Sequence, residues 1–451
     1  MNRLCLKYLK EWKIKTHRKP LILHGARQVG KSYLVREFGR QEFEQFIEIN
    51  FEKNPEFIPL FKSNSPQKIL ELLELHFKTQ LTPDNCLLFL DEIQVAPQVY
   101  SSLRYFYEEL PTLHIITAGS LLSLLFHEEE FSTPVGRIEY LYLGPMNFEE
   151  FLIAKGEEKL QKFLESYELS IDFLDFPETI HKKLLEYVKE FLVLGGMPEV
   201  LELYTKGHRM AECIQIQKAV LTTYYEDFRK YAKRIPFETI QKVYQKLPLL
   251  IGKKLKYTNI DPGEKSRGLV KALGWLCDAR IAYKVLRSSA SGLPLRACAD
   301  ELHFKPLFLD VGLMATASGI SLLDLERSSQ ELVLNYGALV EQFVGQHLLF
   351  SQEPYDIPEL FFWEREKKNA AAEVDYLISE GSKIIPIEVK AGSSGHLKSL
   401  HLFLKEKEKN FGVKLSSQLP QIEKKDTTTL LSLPLYFVMQ LRRLCRTLPA
   451  T

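Results

Sequence analysis

A short run near the start of the chain has the residue types and spacing of a phosphate-binding loop. It matches GxxxxGK(S/T) and lies between an apolar strand pattern over 21–24 and a helical pattern over 32–38. Glycines let backbone N–H groups face a phosphate, and the helix N-terminus adds its dipole. We expect Lys31 to reach the β- and γ-phosphates of ATP, Ser32 to bind Mg²⁺, and Arg27 and Tyr33 to lie beside the nucleotide. The loop residues are Gly25, Ala26, Arg27, Gln28, Val29, Gly30, Lys31 and Ser32.

A second motif supplies carboxylates. Asp91 and Glu92 follow the apolar run 86–90, which is typical of a buried parallel strand. In a doubly wound sheet, both motifs emerge at the carboxyl edge, where ligands bind. We expect Asp91 to hold Mg²⁺ through water and Glu92 to orient the water that attacks the γ-phosphate. The alternative is an ordinary strand that ends in solvated acids. That alternative is a poor explanation in a chain that also carries a phosphate-binding loop.

Two further candidates are less specific. The strand pattern over 114–118 ends in small polar residues, and Thr117 or Ser120 would read the γ-phosphate there; a structural turn is the alternative. Arg137 could stabilise transition-state charge, in its own chain or from a neighbouring subunit. The alternative for Arg137 is an ordinary surface arginine.

Four charged residues near the C-terminus suggest a separate metal site. Asp375 lies in an alternating strand pattern, and Glu388 and Lys390 share one face of the next strand because side chains alternate with period two. This order resembles the PD-(D/E)XK nucleases, whose fold also takes a glutamate from a preceding helix; Glu341 fits that position. The resemblance implies Mg²⁺ on Glu341, Asp375 and Glu388, with Lys390 positioning the hydrolytic water. The alternatives are charges on an exposed sheet face and a nuclease-like fold without cleavage.

The middle of the chain carries a basic segment. Nine basic residues oppose three acids between 253 and 287, around a pattern of turn, amphipathic helix and strand. This order suits a helix-turn-helix with a wing that contacts double-stranded DNA. A winged helix that binds protein is the alternative. The basic residues are Lys253, Lys254, Lys256, Lys265, Arg267, Lys271, Arg280, Lys284 and Arg287.

Length and composition limit the classes of protein that remain. The chain has 451 residues, enough for about three domains, and its net charge of +1 requires any nucleic-acid surface to be local. No apolar run approaches the ~20 residues of a spanning helix, and the N-terminus lacks the apolar core of a signal peptide. The six cysteines are scattered, as in a reducing compartment. We therefore expect a cytoplasmic protein with no membrane partner. Short apolar strands alternate with helical stretches from residue 1 to about 150, which predicts an α/β fold with a doubly wound parallel sheet.

Several segments together resemble an uncharacterised bacterial and archaeal family of AAA-type ATP-binding proteins with a C-terminal domain of unknown function. The segments are GARQVGKS, LLFLDEIQ, TAGS, VGRIEYLYLGPMNFEEFL and GGMPEV. The resemblance implies an ATPase domain with a doubly wound parallel sheet over 1–155, a helical lid over 156–245, a winged-helix-like domain over 246–300 and a nuclease-like domain over 301–451. Ala118 in TAGS departs from the shorter TGS of similar members.

These features predict a Mg²⁺-dependent ATPase that is coupled to a DNA-directed or regulatory C-terminal domain. The alternative is a nucleotide-switched DNA-binding or protein-interaction module with an inactive nuclease fold. Assembly with identical subunits, or with a protein partner, stays open at this point.

Overall fold

The first sheet is built from five parallel strands. The computed structural model describes residues 2–119, 134–169, 176–231, 235–320, 336–365, 372–391 and 397–447. The strand order is β2-β3-β4-β1-β5, and each neighbouring pair is parallel. This confirms the predicted parallel sheet. The strands are β1 (Leu21–His24), β2 (Gln45–Asn50), β3 (Cys86–Asp91), β4 (His114–Gly119) and β5 (Glu139–Tyr142).

Burial on both faces explains why β3 is apolar up to its last residue, Asp91. Leu87 and Phe89 pack into one apolar cluster, while Leu88 and Leu90 pack into another on the opposite face. Continuous apolar strands are the expected sequence of a sheet covered on both sides. The N-terminal helices are α1 (Leu6–Lys13), α2 (Lys31–Glu42), α3 (Pro66–Phe77) and α4 (Pro97–Glu109).

A helical region follows β5. Its first helix begins with a capping box, in which the Asn147 side chain accepts from the Glu150 N–H and the Glu150 carboxylate accepts from the Asn147 N–H. The helices are α5 (Phe148–Ala154), α6 (Glu158–Ser166), α7 (Glu178–Leu194), α8 (Pro198–Thr205), α9 (Met210–Tyr231), α10 (Phe237–Lys246) and α11 (Ser266–Asp278).

The second sheet is mixed and has eight strands in the order β12-β13-β11-β10-β9-β8-β6-β7. The strands are β6 (Ala282–Ser288), β7 (Ala299–Phe308), β8 (Leu360–Glu364), β9 (Glu373–Glu380), β10 (Lys383–Val389), β11 (Phe411–Ser416), β12 (Gln421–Lys425) and β13 (Thr428–Pro434). The accompanying helices are α12 (Val311–Ala317), α13 (Gly337–Leu349), α14 (Lys398–Glu406) and α15 (Leu441–Thr447).

The β6–β7 hairpin links the middle of the chain to the C-terminal strands. The predicted amphipathic helix and the strand after it are present as α11 and β6, and β6 forms a hairpin with β7. However, β6 pairs in parallel with β8, and the boundary predicted at residue 300 falls inside β7. The hairpin and the C-terminal strands therefore share one sheet.

Contacts also join the first sheet to the C-terminal region. The Tyr142 N–H donates to the Pro354 carbonyl at 2.7 Å, and the Phe148 N–H donates to Nε2 of His347 at 2.9 Å. The Tyr355 hydroxyl donates to the Tyr8 carbonyl at 3.0 Å. Within the described ranges, no helix has the length and apolar character needed to cross a membrane.

Candidate functional site

The phosphate-binding loop connects β1 to α2, as its sequence context predicts. Gln28 and Gly30 have φ values of 64° and 92°, so the backbone turns through the left-handed region twice. A Cβ atom at Gly25 would lie 2.3 Å from the Leu143 carbonyl oxygen, which explains the glycine there. The loop is therefore shaped by its own glycines and by the strand end beside it.

Lys31 closes this loop on itself. Its ammonium donates to the carbonyls of Gly25 at 2.9 Å and Ala26 at 2.7 Å, and the residue is 8% exposed. Burial lowers the pKa of Lys31 to about 8, against the opposing charges of Glu92 and Asp91. A buried ammonium held by neutral carbonyls is suited to exchange them for phosphate oxygens, which carry charge.

Ser32 and Asp91 meet at the carboxyl edge of the sheet. The Ser32 hydroxyl donates to Oδ2 of Asp91 at 2.9 Å, and the Asn50 amide approaches the same oxygen at 3.3 Å. Burial raises the pKa of Asp91, and the neighbouring Glu92 adds to the rise. A hydroxyl and a carboxylate side by side are oxygen ligands that suit Mg²⁺. The residues present therefore fit ATP–Mg²⁺.

Glu92 lies next to this pair. Its backbone has a φ of 53°, in the left-handed region, and its carboxylate accepts a hydrogen bond from the Gln94 amide. A non-glycine residue in this conformation is held there by its surroundings, and such residues often cluster at functional sites. The structure thus brings Lys31, Ser32, Asp91 and Glu92 together.

Helix α9 holds the loop from one side. Nη1 of Arg27 pairs with Oδ1 of Asp227 at 2.5 Å, and the Tyr224 hydroxyl donates to the Arg27 carbonyl at 2.7 Å. Both residues belong to an aromatic and acidic stretch of this helix, 224–228. Tyr33 is 46% exposed at the start of α2.

Arg3 holds the loop from the other side, and sequence reasoning missed it. Its guanidinium donates to the Val29 carbonyl at 2.8 Å, to the Gly144 carbonyl at 2.9 Å and to Oε1 of Glu150 at 3.0 Å. Arg3 is buried, although the sequence shows it as one of several basic residues near the N-terminus. No local signal distinguishes it from its basic neighbours.

The other predicted nucleotide-site residues differ in where they lie. The register places Thr117 between Ile22 and Leu90, and its buried hydroxyl has no hydrogen-bond partner within the described residues. Ser120 lies outside the described residues. Arg137 precedes β5 at the amino end of the sheet, opposite the loop, and its Nε pairs with Glu108 at 2.8 Å. In this structure Arg137 does not meet the loop of its own chain.

The Gly195-Gly196 pair fastens the helical region to the first sheet. The Met146 N–H donates to the Gly196 carbonyl at 2.7 Å, and the Gly196 N–H donates to the Asp310 carboxylate at 2.6 Å. Burial raises the pKa of Asp310 to about 6. This carboxylate also caps α12 by accepting from the Leu313 N–H at 3.0 Å.

The predicted C-terminal carboxylates lie in one cluster. Asp375 on β9 accepts from the Val389 N–H at 2.8 Å, which joins it to the end of β10. Burial and the charge of nearby Glu341 raise the pKa of Asp375 to about 8. Burial also raises the pKa of Glu388, whose Oε1 accepts from Lys390 at 2.7 Å. All four predicted residues are therefore neighbours.

Lys305 enters the same cluster, and the sequence reasoning did not include it. Its Nζ lies 2.8 Å from Oε1 of Glu341, 3.0 Å from Oε1 of Glu373 and 3.9 Å from Oδ1 of Asp375. It is 1% exposed. A single lysine in the apolar stretch 304–309 was the available signal, since a buried lysine needs carboxylate partners.

The geometry around this cluster limits what it can bind. Across the part of the chain that the structure describes, no group of three or more His, Cys, Asp or Glu side chains is arranged to hold a metal. Among the same residues, the buried Oε2 of Glu388 has no hydrogen-bond partner.

The loop at the start of the basic segment lies beside this cluster. Gly252 has a φ of 75°, and a Cβ atom there would lie 2.8 Å from Oε2 of Glu341. Lys254 pairs with Glu364 at the end of β8. The remaining exposed basic residues of the loop and of α11 are Lys253, Lys256, Lys265, Arg267 and Lys271.

Comparison with family models divides the chain into three matched segments. Residues 17–152 match an AAA domain, residues 185–324 match the domain of unknown function DUF8612, and residues 336–436 match the domain of unknown function DUF4143. The AAA match includes the phosphate loop, Asp91 at the end of β3 and Glu92 after it, so this part of the chain is similar to AAA domains. The third match includes Glu341, Asp375, Glu388 and Lys390.

One curated relative is an uncharacterized protein of Methanocaldococcus jannaschii. It is 29% identical over 182 residues, which cover 40% of this chain and 35% of the relative. The matched region thus spans about a third of that relative's length.

The similar solved structures share less sequence identity with this chain than the curated relative does. Aeropyrum pernix ORC1 in complex with DNA is 13% identical, covers 70% of this chain and 91% of its own, and has a TM-score of 0.26. The RuvB Holliday junction branch migration motor of Thermotoga maritima is 13% identical, covers 63% and 90%, and has a TM-score of 0.25. Caenorhabditis elegans PCH-2 is 10% identical, covers 46% and 64%, and has a TM-score of 0.27.

Proposed function

We propose that this protein binds and hydrolyses ATP–Mg²⁺ at the loop between β1 and α2, and that the nucleotide state controls a DNA-directed C-terminal domain. The observation that carries the proposal is the meeting of Lys31, Ser32, Asp91 and Glu92 at one edge of a parallel sheet. The AAA-domain match over the same residues supports it.

Each of these residues has a distinct task. Lys31 leaves the Gly25 and Ala26 carbonyls and binds phosphate oxygens, while the loop N–H groups and the α2 N-terminus face the same charge. Ser32 and Asp91 hold the magnesium ion, which neutralises phosphate charge when bound. Glu92, steadied by the Gln94 amide, orients the attacking water.

The proposal that DNA is the target rests on the placement of the basic segment. Its loop packs against Glu341 through Gly252, and Lys254 pairs with Glu364, so exposed ammonium groups flank the carboxylate cluster. Phosphates of a duplex bound along these lysines would pass close to that cluster. The proposal includes Mg²⁺-dependent cleavage of that DNA at the carboxylate cluster.

A second candidate is a binding module with an inactive nuclease fold. The observation that favours it is Lys305, whose ammonium already pairs with Glu341, one of the three predicted metal ligands. Arg137 lies away from the phosphate loop of its own chain. The form of its prediction that is left to test is therefore that it stabilises transition-state charge at the loop of a neighbouring subunit.

The deciding experiment measures ATP binding, ATP hydrolysis and Mg²⁺- or Mn²⁺-dependent DNA cleavage on the same preparations. We expect Glu92→Gln to bind ATP but to hydrolyse it roughly 10²-fold more slowly or worse, since general-base catalysis contributes about that much. We expect Asp375→Ala to lose cleavage and keep hydrolysis. ATP binding that is unchanged in Lys31→Ala would overturn the nucleotide-site proposal.

DNA binding is tested separately by charge reversal. Lys265→Glu, Arg267→Glu and Lys271→Glu should each weaken binding and lower the slope of log affinity against log salt by about 1. Lys68→Glu on α3 is the matched control, because Lys68 is also exposed but belongs to the first domain. Equal effects at all four positions would overturn the assignment of DNA binding to the basic segment.

A further inference from the structure

We infer that two neighbouring residues of α13, Gln346 and His347, are positioning residues for the phosphate loop of the first domain. Each reaches the loop through a separate series of contacts, the His347 series and the Gln346 series, and both series end at Gly30. The inference rests on the nucleotide site proposed above, and it makes the affinity for ATP depend on how α13 is packed.

The His347 series begins at the first turn of α5. Burial lowers the pKa of His347 to about 4, so its imidazole is neutral, and Nδ1 donates to the Phe343 carbonyl at 2.6 Å. Nε2 is therefore free to accept from the Phe148 N–H, at 2.9 Å. N–H groups in the first turn of a helix have no partner within the helix. His347 thus fixes the start of α5.

Glu150 connects the start of α5 to the loop. Its Oε2 accepts from the Asn147 N–H at 3.0 Å, and its Oε1 accepts from Nε of Arg3 at 3.0 Å. Arg3 also donates to the Val29 carbonyl at 2.8 Å, and a Cβ atom at Gly30 would lie 3.6 Å from its Nη1. Arg3 and Glu150 are both buried, so neither charge can leave its partner without a large cost. The loop therefore follows α5.

The Gln346 series reaches the loop through the Gly195-Gly196 segment. The Gln346 Oε1 accepts at 2.8 Å from the N–H of the residue after Asp310, and its side chain also hydrogen-bonds the Asp310 carboxylate. That carboxylate accepts from the Gly196 N–H at 2.6 Å. Two residues later Pro198 begins α8, and its Cγ would lie 3.3 Å from a Cβ atom at Gly30.

Both series therefore contact Gly30 and leave from one turn of α13. Protein interiors are close packed and transmit small displacements, so a shift of this turn moves the neighbours of Gly30. Gly30 has a φ of 92°, and its loop supplies the N–H groups that would face phosphate. A displacement of these groups changes the affinity for ATP directly.

Isothermal titration of ATP–Mg²⁺ into variants of the full chain tests the inference. His347→Phe keeps a ring but removes the acceptor of the Phe148 N–H, so we expect the Kd to rise at least about fivefold, the lower end of typical coupling between sites. His347→Gln should stay within about twofold of the wild type, because its amide oxygen can accept from the same N–H. Gln346→Leu should also raise the Kd at least about fivefold.

Gln342→Leu is the matched control on the same helix. Gln342 lies one turn before Gln346, is also buried, and bonds the Phe308 N–H at 3.0 Å and the Phe308 carbonyl at 2.7 Å. Both leucine variants remove buried hydrogen bonds, so both should lower the melting temperature. Only Gln346→Leu should raise the Kd for ATP, whereas a purely structural role would make the two variants alike.

Arg3→Lys tests the His347 series itself. Lysine keeps the charge beside Glu150 but lacks the planar fork that spans Glu150 and Val29. Variants that break one series of contacts should not combine additively, so Arg3→Lys with His347→Phe should bind ATP within about twofold of the weaker single variant.

Three results would overturn the inference. They are an unchanged Kd in folded His347→Phe, equal Kd values in Gln346→Leu and Gln342→Leu, and full multiplication of the effects of Arg3→Lys and His347→Phe. If His347→Phe does not fold, the comparison of the two leucine variants decides the matter. A wild-type chain that binds no ATP would instead refute the nucleotide site, so the two failures are distinguishable.

Discussion

The ion pair between Arg27 and Asp227 holds the phosphate loop against α9, so we expect its removal to strengthen ATP binding. The guanidinium belongs to the loop itself, in which Lys31 is the other basic side chain. Its Nη1 lies 2.5 Å from Oδ1 of Asp227. Phosphate and Asp227 therefore compete for one positive charge, and Asp227→Asn weakens one competitor while keeping an oxygen acceptor.

The magnitude follows from the partial burial of the pair. The Arg27 and Asp227 side chains are 32% and 12% exposed, so the pair is screened but not fully solvated. At an effective dielectric constant of about 20, the Coulomb energy at 4 Å is about 4 kcal/mol. Solvent exposure and the hydrogen bond kept by asparagine reduce the net effect to about 1 kcal/mol. We therefore expect a Kd for ATP–Mg²⁺ that is about fivefold lower.

Isothermal titration of ATP–Mg²⁺ into the full chain measures this change. Glu226→Gln, one residue earlier on α9, is the matched control and should leave the Kd unchanged. The gain in Asp227→Asn should shrink as salt is added, because screening already weakens the wild-type pair. An unchanged or higher Kd in a variant with a native melting temperature would show that Arg27 stays with α9 when ATP binds, and the reasoning would be refuted.

Two further predictions concern stability. Gly196→Ala places a Cβ atom 1.9 Å from the Met146 carbonyl oxygen, so we expect a loss of about 3 kcal/mol in the free energy of unfolding by urea. Gly274→Ala on α11 is its control: a Cβ atom there meets no atom within 4 Å, and alanine favours a helix, so stability should be equal or higher. Burial raises the pKa of Glu149 to about 7, so the folded chain holds a proton that the unfolded chain releases near pH 4.5. The stability that this proton supports is present at low pH and is lost as the pH rises from about 4.5 to 7. Glu149→Gln should therefore be more stable than wild type at pH 8, by up to about 3 kcal/mol, with little difference near pH 4; a variant that is less stable at pH 8 would contradict this.

The nucleotide site was predictable because its residues are contiguous. Lys31 and Ser32 follow one strand, Asp91 and Glu92 follow another, and parallel strands bring their carboxyl ends together. Arg3 and Asp227 reach the same loop from far along the chain, and no spacing rule marks them. Their positions follow from packing between elements and not from local pattern.

The C-terminal carboxylate cluster could be predicted from the sequence only in part. The period-two pattern correctly placed Glu388 and Lys390 together, and the structure sets Asp375 beside them. The sequence could not show that Lys305 would lie against Glu341, because that contact depends on how β7 and α13 pack. The pairing of β6 with β8 was hidden for the same reason, since strand partners are chosen by the whole fold.

The contacts that tie the first domain to the C-terminal region have a consequence for biosynthesis. The acceptor of the Phe148 N–H, His347, lies 199 residues later in the chain, and the acceptor of the Tyr142 N–H, Pro354, lies still further along. At about 5–20 residues per second, a ribosome takes roughly 10–40 s to make that stretch. During this interval the first domain is outside the ribosome, while the acceptors of the Phe148 and Tyr142 N–H groups are not yet made. We expect the first domain, expressed alone, to expose the groups that these contacts cover and to aggregate more readily than the full chain.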